Sequence, residues 1–145
     1  MRTWLRRRAP ASIAAALCCL APPLAAGAQE QAKDAAAWDA PPEAKDVQNP
    51  VKGDGRTVER GDKLFHKYCV ACHGAEGTAD GTLAKRLGYK PANLSLERME
   101  KLTDGEVYWK ISKGRAPMPA FEAQLSSRER WDLVSFVRTL VKSAR

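Results

Sequence analysis

The pentapeptide Cys69-Val70-Ala71-Cys72-His73 constrains this chain more than any other feature. C-x-x-C-H is the attachment pattern of a c-type haem. Thiols three residues apart lie on one side of a helical turn, so both reach the two vinyl groups along one porphyrin edge. The next residue, His73, then offers an imidazole nitrogen to the iron. Two other uses of a cysteine pair compete with this one. A thioredoxin-type dithiol opens a helix after a strand within an α/β pattern, whereas this pair closes a helical stretch with no strand before it. Zinc needs two further ligands, and His66 is the only other histidine. It precedes His73 by about two turns and 10 Å along a helix and reads as a surface residue.

Length and cysteine usage narrow the frame. The 145 residues suit one domain at roughly 100–200 residues each. Cys18 and Cys19 sit together in an N-terminal apolar run, so the body of the chain holds only Cys69 and Cys72, too few for a disulfide scaffold. Residues 1–28 read as a cleaved signal peptide. Arg2, Arg6, Arg7 and Arg8 precede an apolar run, and Ala26-Gly27-Ala28 supplies small residues for cleavage. The run is shorter than the roughly 20 residues a membrane span needs, and Pro22-Pro23 interrupts it. No stable membrane insertion is therefore expected, and the periplasm is the expected compartment. Without that leader the chain loses four arginines and no acids, leaving 20 of its 24 basic residues against 17 acidic ones, a formal +3. Such a balance, with no basic stretch interleaved with aromatics, gives no footprint for nucleic acid.

Residues 29–55, rich in Ala, Pro, Asp and Lys, read as a flexible linker or arm. Trp38 is its one large apolar residue, either docked on the domain or exposed. The folded domain is expected over 56–145, as helices joined by Gly/Pro loops. A first helix runs from about Val58 to Cys72, with Gly61, Leu64, Phe65, Tyr68 and Cys72 on one face. Thr103 with Glu106, and Ser126 with Glu129, are capping boxes that open two more helices. Gly114 is placed to stop the first of these. About 90 residues in short helices make a thin core, which something other than polypeptide is expected to fill.

The stretches GDKLFHKYCVACHG from Gly61, GRAPMPAF from Gly114 and RERWDLVSFVRTL in the last helix together resemble the class I c-type cytochromes. The resemblance covers about residues 58–141. It implies an all-α cytochrome c fold, three to five short helices around one covalently attached haem c. It also implies that Met118 is the distal axial ligand beside His73. Pro117 and Pro119 flank Met118 and forbid a regular helix there, and a thioether suits ferrous iron. Met99, in a charged context, is the weaker alternative. The family holds its proximal imidazole by a hydrogen bond to a proline carbonyl, for which Pro91 is the candidate here. Tyr108 and Trp109 are expected to include one contact to the haem edge, with core packing as the alternative, and Arg115 stands where it could pair with a propionate. Gly61 and Phe65, with Leu133 and Phe136, match the helices that cross closely in this family. The subgroup's second glycine loop reads Ala79-Asp80-Gly81 here, a departure at Ala79.

Two axial ligands leave no open coordination position, and no general base, nucleophile or substrate pocket is visible. The expected function is therefore electron transfer and not catalysis. The chain would be a periplasmic carrier, or the cytochrome partner of an oxidoreductase, meeting its redox protein donor and acceptor in transient complexes as a monomer. The alternatives are a haem subunit of a catalytic complex with a labile distal ligand, or a membrane-tethered respiratory subunit.

Overall fold

The computed structural model describes residues 38–52 and 54–143. The leader expected over 1–28 and the first part of the expected arm lie outside them. Five helices follow in order: α1 Gly55–Tyr68, α2 Val70–His73, α3 Thr82–Arg86, α4 Asp104–Lys113 and α5 Ser127–Ser143, with 3₁₀ turns at Pro42–Asp46 and Glu97–Lys101. No named strand occurs among the described residues, and one isolated bridge pairs Arg115 with Met118. The expected all-α class and helix count hold.

Helix starts follow local chemistry. α1 begins three residues before the apolar periodicity does, because Asp54 accepts a hydrogen bond from the Arg56 N–H at 2.9 Å and caps the first turn. α4 opens on the reciprocal Thr103–Glu106 capping box. Ahead of α5, Glu129 N–H donates to Ser126 Oγ while the Glu129 carboxylate accepts from Ser126 N–H at 2.8 Å.

The core forms where α1 crosses α5. An added Cβ at Gly61 would stand 2.1 Å from the Asp132 carbonyl oxygen and 2.8 Å from Phe136 Cβ, so only a hydrogen atom fits there. Phe65 packs on Phe136 with ring centroids 5.1 Å apart, and Phe65, Leu133 and Val134 are fully buried. α4 adds Val107 and Ile111 to the same cluster. A buried carboxylate lies beside the crossing: Asp132 accepts two hydrogen bonds from Arg60, at 2.7 and 3.1 Å. Arg138 plays a similar part lower on α5, donating to Asp104 Oδ1 and to the carbonyls of Met99 and Leu102.

Residues 38–52 do not behave as the flexible arm expected of 29–55. Ala40 and Ala44 are buried. The Ala44 carbonyl lies against Gly105, where a Cβ would come within 2.0 Å of it. Asn49 donates to Asp104 Oδ2 at 3.2 Å and to Ser135 Oγ at 3.3 Å. Trp38 docks between Lys110 and Arg115. Pro41 and Pro42 stiffen this segment, lowering the entropy lost on docking, which its polar composition does not reveal.

Candidate functional site

α1 ends at Tyr68, and Cys69 turns the backbone at φ −115°, ψ −33° before the single turn α2. The Cys72 and His73 N–H groups both donate to the Cys69 carbonyl, at 3.1 and 2.9 Å. The two cysteines and the histidine therefore share one compact turn, with both thiols free. A tight loop closes beneath it. Ala79 N–H donates to the His73 carbonyl at 2.8 Å, and Gly81 N–H to the Cys72 carbonyl at 3.2 Å. At Gly81 a Cβ would meet the Ala71 and Cys72 carbonyls at 2.4 and 2.5 Å. Ala79, the departure from the subgroup pattern, takes φ +67°, a left-handed conformation that a side chain disfavours.

The His73 ring is oriented by its Nδ1, 3.0 Å from the Ala92 carbonyl oxygen. A carbonyl only accepts, so Nδ1 carries the proton and the Nε2 lone pair is left for a metal. Burial holds the His73 pKa below its ordinary value, against a smaller opposing effect of the Ala92 hydrogen bond. The neutral imidazole that a metal needs is thus favoured. The carbonyl partner expected at Pro91 is found one residue on. Pro91 itself is buried, and the register of this irregular segment is set from its far side, where Leu94 N–H donates to the Gly77 carbonyl at 2.7 Å. A proline in the sequence marks the segment, whereas that tertiary hydrogen bond decides which carbonyl faces the ring.

Burial, and then the neighbouring Cys72, push the Cys69 thiol up to about 12. A thioredoxin-type nucleophile needs the opposite shift. Among the described residues no group of three or more His, Cys, Asp or Glu side chains could hold a metal ion, so zinc finds no ligand set. His66 is exposed and lies 3.0 Å from Asp62 Oδ1 on the same helix.

Met118 sits half-buried against the core, in a loop tied at both ends. Its N–H donates to the Arg115 carbonyl at 2.8 Å. Downstream, Phe121 and Glu122 N–H groups return to the Ile111 and Ser112 carbonyls, both at 3.2 Å. Phe121 in turn meets Tyr68, the residue before Cys69, edge to face with centroids 6.0 Å apart. The methionine loop and the cysteine turn therefore flank one edge of the core. Met99 is elsewhere, buried within the core cluster. Trp109, expected at the haem edge, lies on the Gly105 face of α4 and lines the cleft against Pro41 and Ala44. Tyr108 lines the same cleft, stacks on Trp131 at 4.0 Å and donates to Ser127 Oγ.

These residues fit a haem. Two free thiols, an imidazole with its tautomer set and a half-buried thioether are the donor types that a His/Met-ligated c-type haem takes. Leu83, Leu87, Tyr89 and Leu96, all on the segment that also supplies Ala92, are apolar side chains that the polypeptide leaves exposed. An apolar macrocycle would cover such a surface.

A family model described as cytochrome c oxidase, cbb3-type, subunit III matches residues 56–137. Among solved structures, a chain of the Kuenenia stuttgartiensis reducing HAO-like protein complex is similar at 32% identity with a TM-score of 0.55. The similarity covers 66% of this chain and 49% of that one, so this chain spans about half the length of that relative. No curated protein matches.

Proposed function

The chain belongs to the family described as cytochrome c oxidase, cbb3-type, subunit III, as a monohaem c-type cytochrome domain of all-α cytochrome c fold, and from that premise we propose how it transfers electrons. One haem c would be held through Cys69 and Cys72, with the His73 imidazole and the Met118 thioether as the ligands offered to its iron. When bound, the haem supplies an iron that alternates between ferric and ferrous states. The polypeptide's part is positional. Ala92 keeps the His73 ring in one tautomer and one orientation, which also raises its basicity as a ligand. The hydrogen bonds returning from the methionine loop to α4 hold Met118 in place. With both ligands fixed beforehand, little rearrangement accompanies a change of redox state.

The observation that carries this reading is the His73 imidazole, with Nδ1 engaged by a main-chain carbonyl and Nε2 left for iron within the same turn as two free cysteines. The partner is another redox protein, met through a small interface in weak encounters. Similarity to a chain of a protein complex, and a family named for an oxidase subunit, support the cytochrome partner of an oxidoreductase over a free carrier. We assign the exchange to the periplasm on the leader read at 1–28. Cell fractionation that left the protein in the cytoplasm would overturn that assignment.

Visible spectra test the site. Matured in a host that attaches haem, the reduced protein should be low-spin and indifferent to carbon monoxide. The oxidised protein should carry a far-red iron–sulfur band that Met118→Ala removes. A high-spin reduced protein that takes up carbon monoxide would refute the reading.

A further inference from the structure

We propose that Trp38 is a positioning residue for the methionine loop, clamping it through Arg115. The inference rests on the reading of Met118 as an iron ligand.

Between the hydrogen bonds that tie its ends, the tip of that loop is largely exposed. Ala116, Pro117, Pro119 and Ala120 are exposed, and Met118 alone is half-buried. Arg115, the residue bridged to Met118, reaches outward to the arm, its guanidinium 5.1 Å from the centroid of the Trp38 ring. Lys110 holds the same ring from α4, with Nζ 4.7 Å from the centroid, and also donates to the Trp38 carbonyl. The lysine is itself partly desolvated, since burial lowers its pKa against the opposing pull of Asp39. Cation–π attraction strengthens when the cation is stripped of water. Trp38 is thus fixed to α4 by one cation and to the methionine loop by the other. It ties a segment 80 positions upstream to the loop carrying Met118. The other end of the arm is anchored independently, by Asn49 on Asp104 and Ser135.

An exogenous ligand binds the iron only where Met118 has left it, so a looser loop binds that ligand more tightly. The experiment is an imidazole titration of the ferric holoprotein. Trp38→Ala should bind imidazole about two- to fivefold more tightly than wild type, the range expected for losing a cation–π contact at an accessible site. Trp38→Phe, which keeps an aromatic face, should stay within about twofold of wild type. Arg115→Gln should tighten binding at least as much as Trp38→Ala does, and Trp38→Ala should add little to it in the double variant. Amide exchange across residues 114–120 should quicken in the same variants. Asn49→Ala should lower the melting temperature and leave imidazole affinity unchanged, because it loosens the arm away from the loop. Wild-type affinity and exchange in Trp38→Ala would overturn the inference, as would an equal shift in Asn49→Ala or fully multiplicative effects in the double variant. Absence of the far-red band in wild type would overturn the Met118 reading as well. Its presence, with an unmoved Trp38→Ala, would sink the clamp alone.

Discussion

Replacing Gly61 with alanine tests the helix crossing on which everything else hangs. The added Cβ would stand 2.1 Å from the Asp132 carbonyl oxygen, about 1.3 Å inside the 3.4 Å at which ordinary contact begins. That oxygen belongs to the backbone of α5 and cannot rotate away, so the two helices must separate. A separation of this size opens gaps around Leu133 and Val134, and a gap of about 0.5–1 Å already forfeits a quarter to a half of a dispersion contact. Overpacking of this kind costs about 1–3 kcal/mol, partly offset by the roughly 0.5–1 kcal/mol that alanine gains over glycine inside a helix. The expected net loss is about 1 kcal/mol, a fall of roughly 4–8 °C in melting temperature for a domain of this size. Gly61→Val lacks most of the offset and should lose more. Thermal unfolding of the holoprotein, followed by far-ultraviolet circular dichroism, measures it. Gly55→Ala is the internal control. It lies in the same helix with nothing within 4 Å of its added Cβ, and it should match or slightly exceed wild type. A Gly61→Ala melt within about 0.5 kcal/mol of wild type would show that the helices do not cross at Gly61 as described.

Other expectations follow from the same geometry. Ala79→Gly should stabilise the protein by about 0.5–1 kcal/mol, because Ala79 takes φ +67°, where a Cβ is strained; a lower denaturation midpoint in the variant would contradict this. Hydrogen bonds from the Ser126 side chain, and then its backbone, hold the Glu129 carboxylate below its ordinary 4.5. A depressed folded-state pKa stabilises above 4.5 and is lost as pH falls through the folded value. The melting temperatures of wild type and Glu129→Ala should accordingly differ at neutral pH and converge in acid, and a gap that persisted in acid would disprove the cap's electrostatic part. Thr103→Ala should cost about 1 kcal/mol by removing the cap of α4, measured in the same melts.

Much of the fold was legible because the signals were local. The capping boxes at Thr103 and Ser126 and the pentapeptide at Cys69 each depend on residues within one turn. The sequence therefore reveals where these helices open and which side chains share the haem-binding turn. Gly61 was legible through resemblance, and the close Asp132 carbonyl supplies its physical reason. Other features depend on partners far away in the chain. No local pattern tells that Asp132, between Trp131 and Leu133, is neutralised by Arg60 across the helix crossing. Trp109 and Tyr108 share α4 with the core residues Val107 and Ile111, and both line a cleft that exists only because the distant arm residues Pro41 and Ala44 pack there.

By itself the sequence determined the chemistry, namely a thiol pair and an imidazole in one turn and a thioether between two prolines, since these follow from residue type and spacing along a few bonds. Only the tertiary structure decided that Ala92 and not Pro91 orients His73, and that residues 38–52 fold onto the domain with Trp38 against Arg115. Register between distant segments depends on which hydrogen bonds and close contacts can be made together, and no short stretch of sequence contains that information.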